Sequence, residues 1–338
     1  MEYIENDISK NDELKLTMCC ITYNLHGESL NFSQICQLLT VHKNKNCDIY
    51  AISTQESQRS ILMNLFFWDK SKFEEDLARF FGKDYVRLKT ETLGGVHLII
   101  FLKKIHKNYI LNYYKEYIKT GFYGLLGNKG AVGIGFSLYN ISFFIISCHL
   151  CSGFNNDFYR NYDFDFIKKN IHPNIYKYDV VIWMGDLNYR VNKTKEEVDE
   201  IIKNKNELSL FEYDQLQNEI NNNNLKCDGF KEGKVDFLPT YKYTDDETNE
   251  IICDCIDHIP SWTDRILYMV NDTKFHFIDD EESDNFKKEE NLSDNDNENI
   301  TESSFKLVNY NSMQNIIFSD HKPVFAYFNI AINSIIYI

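Results

Sequence analysis

Short apolar runs that end on a carboxylate, an amide or an imidazole constrain this chain more than any other feature. Cys20-Ile21-Thr22-Tyr23 runs into Asn24, Ala51 to Gln55 into Glu56, Phe143 to Cys148 into His149, and Val180 to Met184 into Asp186 and Asn188. In the other direction, Asp264 opens Arg265-Ile266-Leu267-Tyr268, and Asp320 and His321 precede Val324-Phe325-Ala326. Runs of this kind read as buried strands. Polar groups at strand ends are where α/β proteins commonly build sites. If these ends converge, they form an oxygen-rich pocket with two imidazoles, and such donors suit Mg2+ rather than zinc. Taken singly, each residue reads as a turn carboxylate or a surface histidine. Only several together point to chemistry.

The rest of the pattern alternates such runs with amphipathic stretches. Strands are expected over Leu16 to Asn24, Asp48 to Gln55, Gly95 to Leu102, Ala131 to Leu138, Ile141 to His149, Asp179 to Asp186, Trp262 to Val270 and Pro323 to Ile330. Apolar residues at helical spacing predict helices over Phe32 to Val41, Phe66 to Phe81, Asn156 to Asn170 and Thr194 to Asn204. Thr194 with Glu197 three residues on is a capping-box pattern. With 338 residues the chain makes one large domain or two small ones, and its core needs no disulfide or zinc. There is no internal repeat, and 14 Gly with only 4 Pro leave no flexible linker.

The formal net charge of -15 argues against a general nucleic-acid binder, whose backbone contacts need a basic face. Much of that charge is local. Asp279 to Glu302 holds eleven acidic residues and two lysines, a net of -9, and its Asn- and Ser-rich composition reads as a disordered surface loop. The polar N-terminus lacks a signal-peptide pattern, and no apolar run approaches the ~18 residues of a membrane span. Nine cysteines, an odd number without framework spacing, point to the cytosol. Cys148-His149-Leu150-Cys151 and Cys253-Asp254-Cys255 could be imagined as a zinc site. Their spacings fit no zinc module, so they read as buried thiols on strands.

Eight strings carry a resemblance over roughly Leu16 to Asn329. They are Thr22-Tyr23-Asn24-Leu25-His26-Gly27, Gln55-Glu56, Gly127-Asn128-Lys129-Gly130-Ala131-Val132-Gly133 and Ser147-Cys148-His149-Leu150. Trp183 to Arg190, Pro239-Thr240-Tyr241-Lys242-Tyr243, Pro260 to Leu267 and Ser319-Asp320-His321-Lys322-Pro323 complete the set. In this order the chain resembles the inositol polyphosphate 5-phosphatases, a branch of the endonuclease/exonuclease/phosphatase superfamily. The resemblance implies a DNase I-like fold, a two-sheet α/β sandwich with helices outside in four α/β/β/α layers. Periodicity alone does not choose that fold over a Rossmann-like sheet. On this reading residues 1–15 are an extension and 16–338 a single catalytic domain, with the acidic segment 279–302 inserted.

The resemblance also implies roles. Glu56, helped by Asn24 and Asp320, holds Mg2+. Asp186 is the general base for the attacking water, and Asn188 orients that water or a phosphate oxygen. His149 and His321 donate hydrogen bonds to the phosphoryl oxygens, and Asp264 fixes the tautomer of His321. Lys129, Arg190, Tyr241, Lys242, Arg160 and Asn161 are the candidates for binding the substrate, a phosphoinositide or soluble inositol phosphate. No covalent phosphoenzyme is implied. Family members that read the 4-phosphate carry Lys and Arg where Ile256 and His258 stand, so weaker discrimination for that phosphate is expected. The protein is expected to be a cytoplasmic monomer touching a membrane surface peripherally, through loops such as Phe122 to Leu126 or Phe154. The competing readings are a nuclease of the same superfamily, which the acidic balance opposes, and a catalytically dead binding module. The latter would have lost Glu56, Asp186, Asn188 or His321, all of which are present.

Overall fold

The computed structural model describes residues 14–57, 70–121, 126–244, 248–255, 258–277 and 303–332. In chain order the strands are β1 (Leu14–Asn24), β2 (Ile49–Gln55), β3 (Tyr85–Leu93), β4 (Val96–Lys103), β5 (Ile110–Thr120), β6 (Leu126–Leu138) and β7 (Ile141–His149). They continue with β8 (Val180–Asp186), β9 (Lys231–Glu232), β10 (Asp264–Val270), β11 (His276–Phe277), β12 (Ser304–Ser312) and β13 (Val324–Ile332). The helices are α1 (Phe32–Lys43), α2 (Ser71–Phe81), α3 (Asp157–Asn170), α4 (Lys195–Lys203) and α5 (Gln215–Asn221).

Two mixed sheets result, one ordered β11-β12-β13-β1-β2-β4-β3 and the other β5-β6-β7-β8-β10-β9. Alternation along each central strand sorts its side chains to two faces. On β1, Leu16, Met18 and Cys20 enter the core between the sheets, where they meet Ile134 of β6, Ile145 of β7 and Ile182 and Met184 of β8. Cys19, Ile21 and Tyr23 face the other way, onto Ile35 and Leu38 of α1 and Leu77 and Phe81 of α2. On the second sheet, Phe144, Ile146 and Trp183 pack against Phe164 and Ile167 of α3. Because both faces are covered, these strands are mostly apolar and largely buried. The layers are helix, sheet, sheet, helix, which is the DNase I-like sandwich and not a single Rossmann-like sheet.

Strand direction places the polar ends together. β1 and β2 are parallel with Asn24 beside Gln55, and β7 and β8 are parallel with His149 beside Asp186. Their C-terminal ends therefore share a rim. β10 runs antiparallel to β8, so its first residue, Asp264, pairs with Asp186, the last of β8. β13 runs antiparallel to β1, with Val324 opposite Thr22, so Asp320 and His321 arrive at the same rim from the other direction.

The strands that the apolar runs failed to predict are β3, β5, β12 and the two-residue β9 and β11. β3 and β5 are the edges of their sheets. An edge strand has a wet side, and β5 exposes Leu111, Tyr113 and Tyr117 there. Of the four predicted helices, α2 begins at Ser71, and residues 66–69 lie outside the described residues, as do 1–13, 122–125 and 279–302. The capping box of Thr194 and Glu197 is present, and a second, of Asn31 and Gln34, opens α1. Of the cysteines expected as buried strand thiols, Cys148 is one, whereas Cys253 is buried in a loop, Cys151 is half-buried and Cys255 is exposed. Phe154 is half-buried and packs against the central core.

His42, on the buried face of α1, gives the fold an acid limit. Its Nδ1 lies 2.7 Å from the Tyr327 hydroxyl, and burial lowers its pKa to about 4. The unfolded chain binds this proton below about 6.5, so stability rises with pH between about 4 and 6.5 and is lost as pH falls through that window. The His42→Gln variant, which can still bond Tyr327, is expected to flatten this slope, worth roughly 3 kcal/mol at full burial. Urea unfolding of both proteins at pH 4.5 and 7 measures it; an unchanged slope refutes the assignment.

Candidate active site

Asp186 is the hub of the rim. Its Oδ2 accepts the Asn24 amide at 2.8 Å and lies 3.3 Å from His149 Nε2, while its Oδ1 accepts the backbone N–H of Asn188 at 2.9 Å. Burial alone would raise its pKa; hydrogen bonding to His149, with His321 and Lys129 nearby, overrides this and holds the carboxyl far below its usual range. Gly185 before it has φ +148°, and a Cβ there would stand 2.0 Å from the Cys148 carbonyl oxygen. Only glycine lets β8 approach β7 this closely where the carboxylate must turn inward.

Glu56 and Asn188 are both held at left-handed φ, 49° and 58°. Non-glycine residues adopt that region at a cost of order 1–3 kcal/mol, and such strain concentrates at functional positions. Glu56 Oε1 sits 3.7 Å from His149 Nε2. Burial pushes the Glu56 carboxyl up, but His149, Lys129 and His321 outweigh it and keep the group ionised. Lys129 Nζ bonds the same His149 nitrogen. That nitrogen can accept from Lys129 or donate to Asp186, but not both at once. Burial and then Lys129 lower the pKa of His149.

The second imidazole is held in the opposite state. His321 Nδ1 donates to Asp264 Oδ2 at 2.8 Å. That oxygen also accepts the hydroxyls of Thr240, at 2.8 Å, and Thr263, at 2.9 Å. Burial would lower the His321 pKa; Asp264, followed by Asp320 and Asp186, lifts it to about 9. The ring is cationic at neutral pH, and Nε2–H, 4.0 Å from Asp320 Oδ1, is available to an incoming oxygen. Tyr241 lies against this ring at 4.6 Å.

Arg190 stacks on Tyr241 at 4.6 Å and donates Nη2 to the Asn188 amide oxygen at 2.7 Å. Among the described residues, its Nε and Nη1 are buried with no hydrogen-bond partner. Buried donors normally find acceptors, so this guanidinium has room for one more anion. Lys242 is engaged elsewhere, 2.8 Å from Asp254 and 3.2 Å from His258 Nδ1. Arg160 is fully buried and donates to the Gly153 carbonyl at 2.6 Å and to Gln215 at 2.5 Å. Asn161 bonds Glu219 and the Tyr189 hydroxyl. Arg160 braces the loop after β7 and reaches the site through Gln215, whose same oxygen accepts the Arg190 backbone N–H, whereas Asn161 ties α5 to Tyr189, the residue before Arg190.

Among the described residues, the compact ligating cluster on the rim is Asp186, Asp264 and His321, whose ligand atoms lie within 4.8 Å of one another. Glu56 stands apart from it, across His149. Asn24 Oδ1 accepts the His26 backbone N–H at 3.0 Å, and Asp320 faces His26 Nδ1 at 3.2 Å. The donors Glu56, Asn24 and Asp320 are all oxygens, and Glu56 is ionised among cations. That chemistry fits a hard divalent ion that binds one or two carboxylates and completes its sphere with water and substrate phosphate.

The apolar-run reading missed the supporting polar groups. Ser53 and Ser147, paired at 2.6 Å across the two sheets, sit beneath the rim with Gln55, and Thr240 orders Asp264. Small hydroxyls inside apolar strands give no signal in a hydropathy pattern. Thr240 could have been found from the Pro239–Tyr243 string that contains it.

A family model for Endonuclease/Exonuclease/phosphatase family 2 matches residues 21–327. Human Synaptojanin-2 is 32% identical over 303 residues, covering 85% of this chain and 20% of that protein. Inositol-1,4,5-trisphosphate 5-phosphatase 1 of Schizosaccharomyces pombe is 32% identical over 279 residues, covering 78% of this chain and 25% of that protein. The chain thus spans a fifth to a quarter of the length of these relatives. The solved inositol polyphosphate 5-phosphatase domain of SPsynaptojanin, in complex with inositol (1,4)-bisphosphate and a calcium ion, matches with a TM-score of 0.74 at 27% identity. That match covers 97% of this chain and 90% of that one. With the matched length, the layered fold and the clustered rim taken together, the chain belongs to the endonuclease/exonuclease/phosphatase family, and its relatives there are the synaptojanins and inositol 5-phosphatases.

Proposed function

We propose that this chain is a Mg2+-dependent phosphoric monoester hydrolase that removes the 5-phosphate from inositol polyphosphates or phosphoinositides by direct attack of water. The observation that carries the reading is the convergence on one rim of Asp186, whose Oδ2 accepts the Asn24 amide at 2.8 Å and lies 3.3 Å from His149 Nε2, with His321, whose Nδ1 donates to Asp264 Oδ2 at 2.8 Å. Against the opposing effect of burial, His149 keeps the Asp186 carboxyl low and Asp264 keeps the His321 imidazole high. Glu56, with Asn24 and Asp320, would hold the metal ion. When bound, that ion supplies Lewis-acid polarisation of the phosphoryl group and neutralises charge on the departing oxygen.

The chain's own residues do the rest. A loose phosphoryl-transfer transition state asks little of the base early on, so positioning counts for more than basicity. Asp186 Oδ1 therefore aims one water in line and takes its proton late, as the new P–O bond forms and the bond to the inositol oxygen breaks. Asn188, oriented by Arg190, fixes the water or a phosphate oxygen. His321 Nε2–H and His149 donate to the equatorial oxygens, where charge accumulates. Lys129 and the two spare donors of Arg190 hold phosphate, with Tyr241 forming the floor between Arg190 and His321. Lys242 addresses a neighbouring ring phosphate. Arg160 and Asn161 act from behind by keeping Arg190 in place.

The head group is what these residues read, so lipid and soluble forms share the chemistry. Phosphate release from a panel of phosphoinositides and soluble inositol phosphates, with and without Mg2+ and with Asp186→Asn as control, tests the reading. Release from a nucleic-acid substrate alone, or none from any, defeats it. In the same assay, restoring Ile256→Lys and His258→Arg is expected to raise kcat/KM on 4,5-bisphosphate substrates about tenfold, the worth of one charge-assisted hydrogen bond. Equal values before and after would mean that Lys242 alone suffices.

A further inference from the structure

The loop leading to β10 carries a second cluster of ligating side chains. Asp254, Cys255 and His258 offer a carboxylate oxygen, a thiol sulfur and an imidazole nitrogen that lie within 4.8 Å of one another. Asp254 and Cys255 are exposed and His258 is half-buried, so an ion can reach them from solvent. The cluster is tied to a residue of the proposed substrate pocket. Asp254 Oδ1 is 2.6 Å from His258 Nδ1, and its Oδ2 is 2.8 Å from Lys242 Nζ, which also lies 3.2 Å from His258 Nδ1. Neither Cys148 nor Cys151 joins such a cluster among the described residues, so the Cys253-Asp254-Cys255 string stands alone.

We infer that Asp254, Cys255 and His258 form a Zn2+ site, and that zinc binding releases Lys242 to take a substrate phosphate. Thiolate, imidazole and carboxylate are the donor types of zinc sites, with bonds of about 2.0–2.3 Å that bring ligand atoms to roughly 3.5 Å apart. Asp254 Oδ1 and His258 Nδ1, 2.6 Å apart, must open by about 1 Å to admit the ion, and the Cys255 sulfur, within 4.8 Å of a ligand atom of each, must close by about as much. A thiolate selects zinc over Mg2+, which takes oxygen donors, so the catalytic cation does not compete. Three protein ligands leave a fourth position open to water or a phosphate oxygen.

The charges give the consequence. Without zinc, the Asp254 carboxylate and the Lys242 ammonium cancel. On binding, Cys255 loses its proton to solvent. The ion's two positive charges are then balanced by one carboxylate and one thiolate. Lys242 is left uncompensated beside Tyr241, and the pocket gains one positive charge. This second half rests on the phosphatase reading; the metal site does not.

Equilibrium dialysis of the full chain against zinc chloride in excess Mg2+ tests the site, using wild type, Cys255→Ser and Cys255→Ala. One zinc per chain is expected in wild type, with affinity at least about tenfold weaker in both variants, since losing a ligand costs no less than losing its hydrogen-bonded support. Replacement of zinc by Co2+ should give thiolate-to-cobalt absorption in wild type alone. Equal uptake by wild type and Cys255→Ser, or none by either, overturns the site. With zinc present, KM for a bisphosphorylated inositol should be lower in wild type than in Cys255→Ser, and equal in the two without zinc. Equal KM in the presence of bound zinc overturns the link to Lys242. If neither protein releases phosphate while zinc uptake still follows Cys255, the phosphatase reading fails and the metal site stands.

Discussion

Asp186→Asn is expected to lower kcat/KM by about a thousandfold or more while leaving the fold intact. The substitution is isosteric, and the amide can still meet the Asn188 backbone N–H through its oxygen. It removes the charge that faces His149 and, on the proposed mechanism, the acceptor for the water proton. General-base groups contribute about 10²–10⁴ to rate, equivalent to roughly 3–5 kcal/mol of barrier. Asn24 makes the loss sharper, because its Nδ2 at 2.8 Å would then face either the new amide oxygen or a second N–H. Single-turnover phosphate release, with circular dichroism as the check on folding, measures the effect. A loss below about tenfold in a well-folded variant would move the base elsewhere on the rim.

The largest expected effect on stability lies one residue past Asp264. Arg265 is fully buried; its Nη1 donates to both oxygens of Asp214 at 3.1 Å, and its Nε and Nη2 donate to Glu232 at 2.6 and 2.5 Å. Tyr310 adds a further donor to Glu232 at 2.8 Å. Removing one partner of a buried ion network leaves uncompensated charge and costs about 3–5 kcal/mol. Arg265→Met should lower the unfolding free energy obtained from urea curves by that amount, and the cost should shrink as pH falls and the stranded carboxylates protonate. Replacing Asp214 and Glu232 with Leu in the same chain should restore most of the loss. A cost below about 1 kcal/mol for Arg265→Met would show the network to be inert.

Much of this was legible in the chain. The doubly covered strands announce themselves as apolar runs, and their polar ends named Asn24, Glu56, His149 and Asp186 before any coordinate. The pairing of β10 with β8, which sets Asp264 beside Asp186, was not legible, because register between distant segments leaves no local trace. Edge strands such as β5 were missed because a wet side breaks the apolar run. Arg160 shows a subtler limit: a cation in a family string looks like a ligand group until its donors are found on Gly153 and Gln215. The state of Lys242 is likewise a tertiary fact, since Asp254 neutralises it from a different loop.

Asn24 belongs to one sheet and Asp186 to the other, as do Ser53 and Ser147 below them. The geometry of the proposed active site is therefore assembled across a seam, and its accuracy is inherited from how firmly the two halves of the sandwich seat against each other. A lateral slip of half an ångström between them, too small to unfold anything, would detune the hydrogen bond that aims the carboxylate. On the proposed function, substitutions deep in the interlayer core, far from any phosphate, thus become dials on turnover, and catalytic rate becomes a gauge of alignment between two slabs of protein.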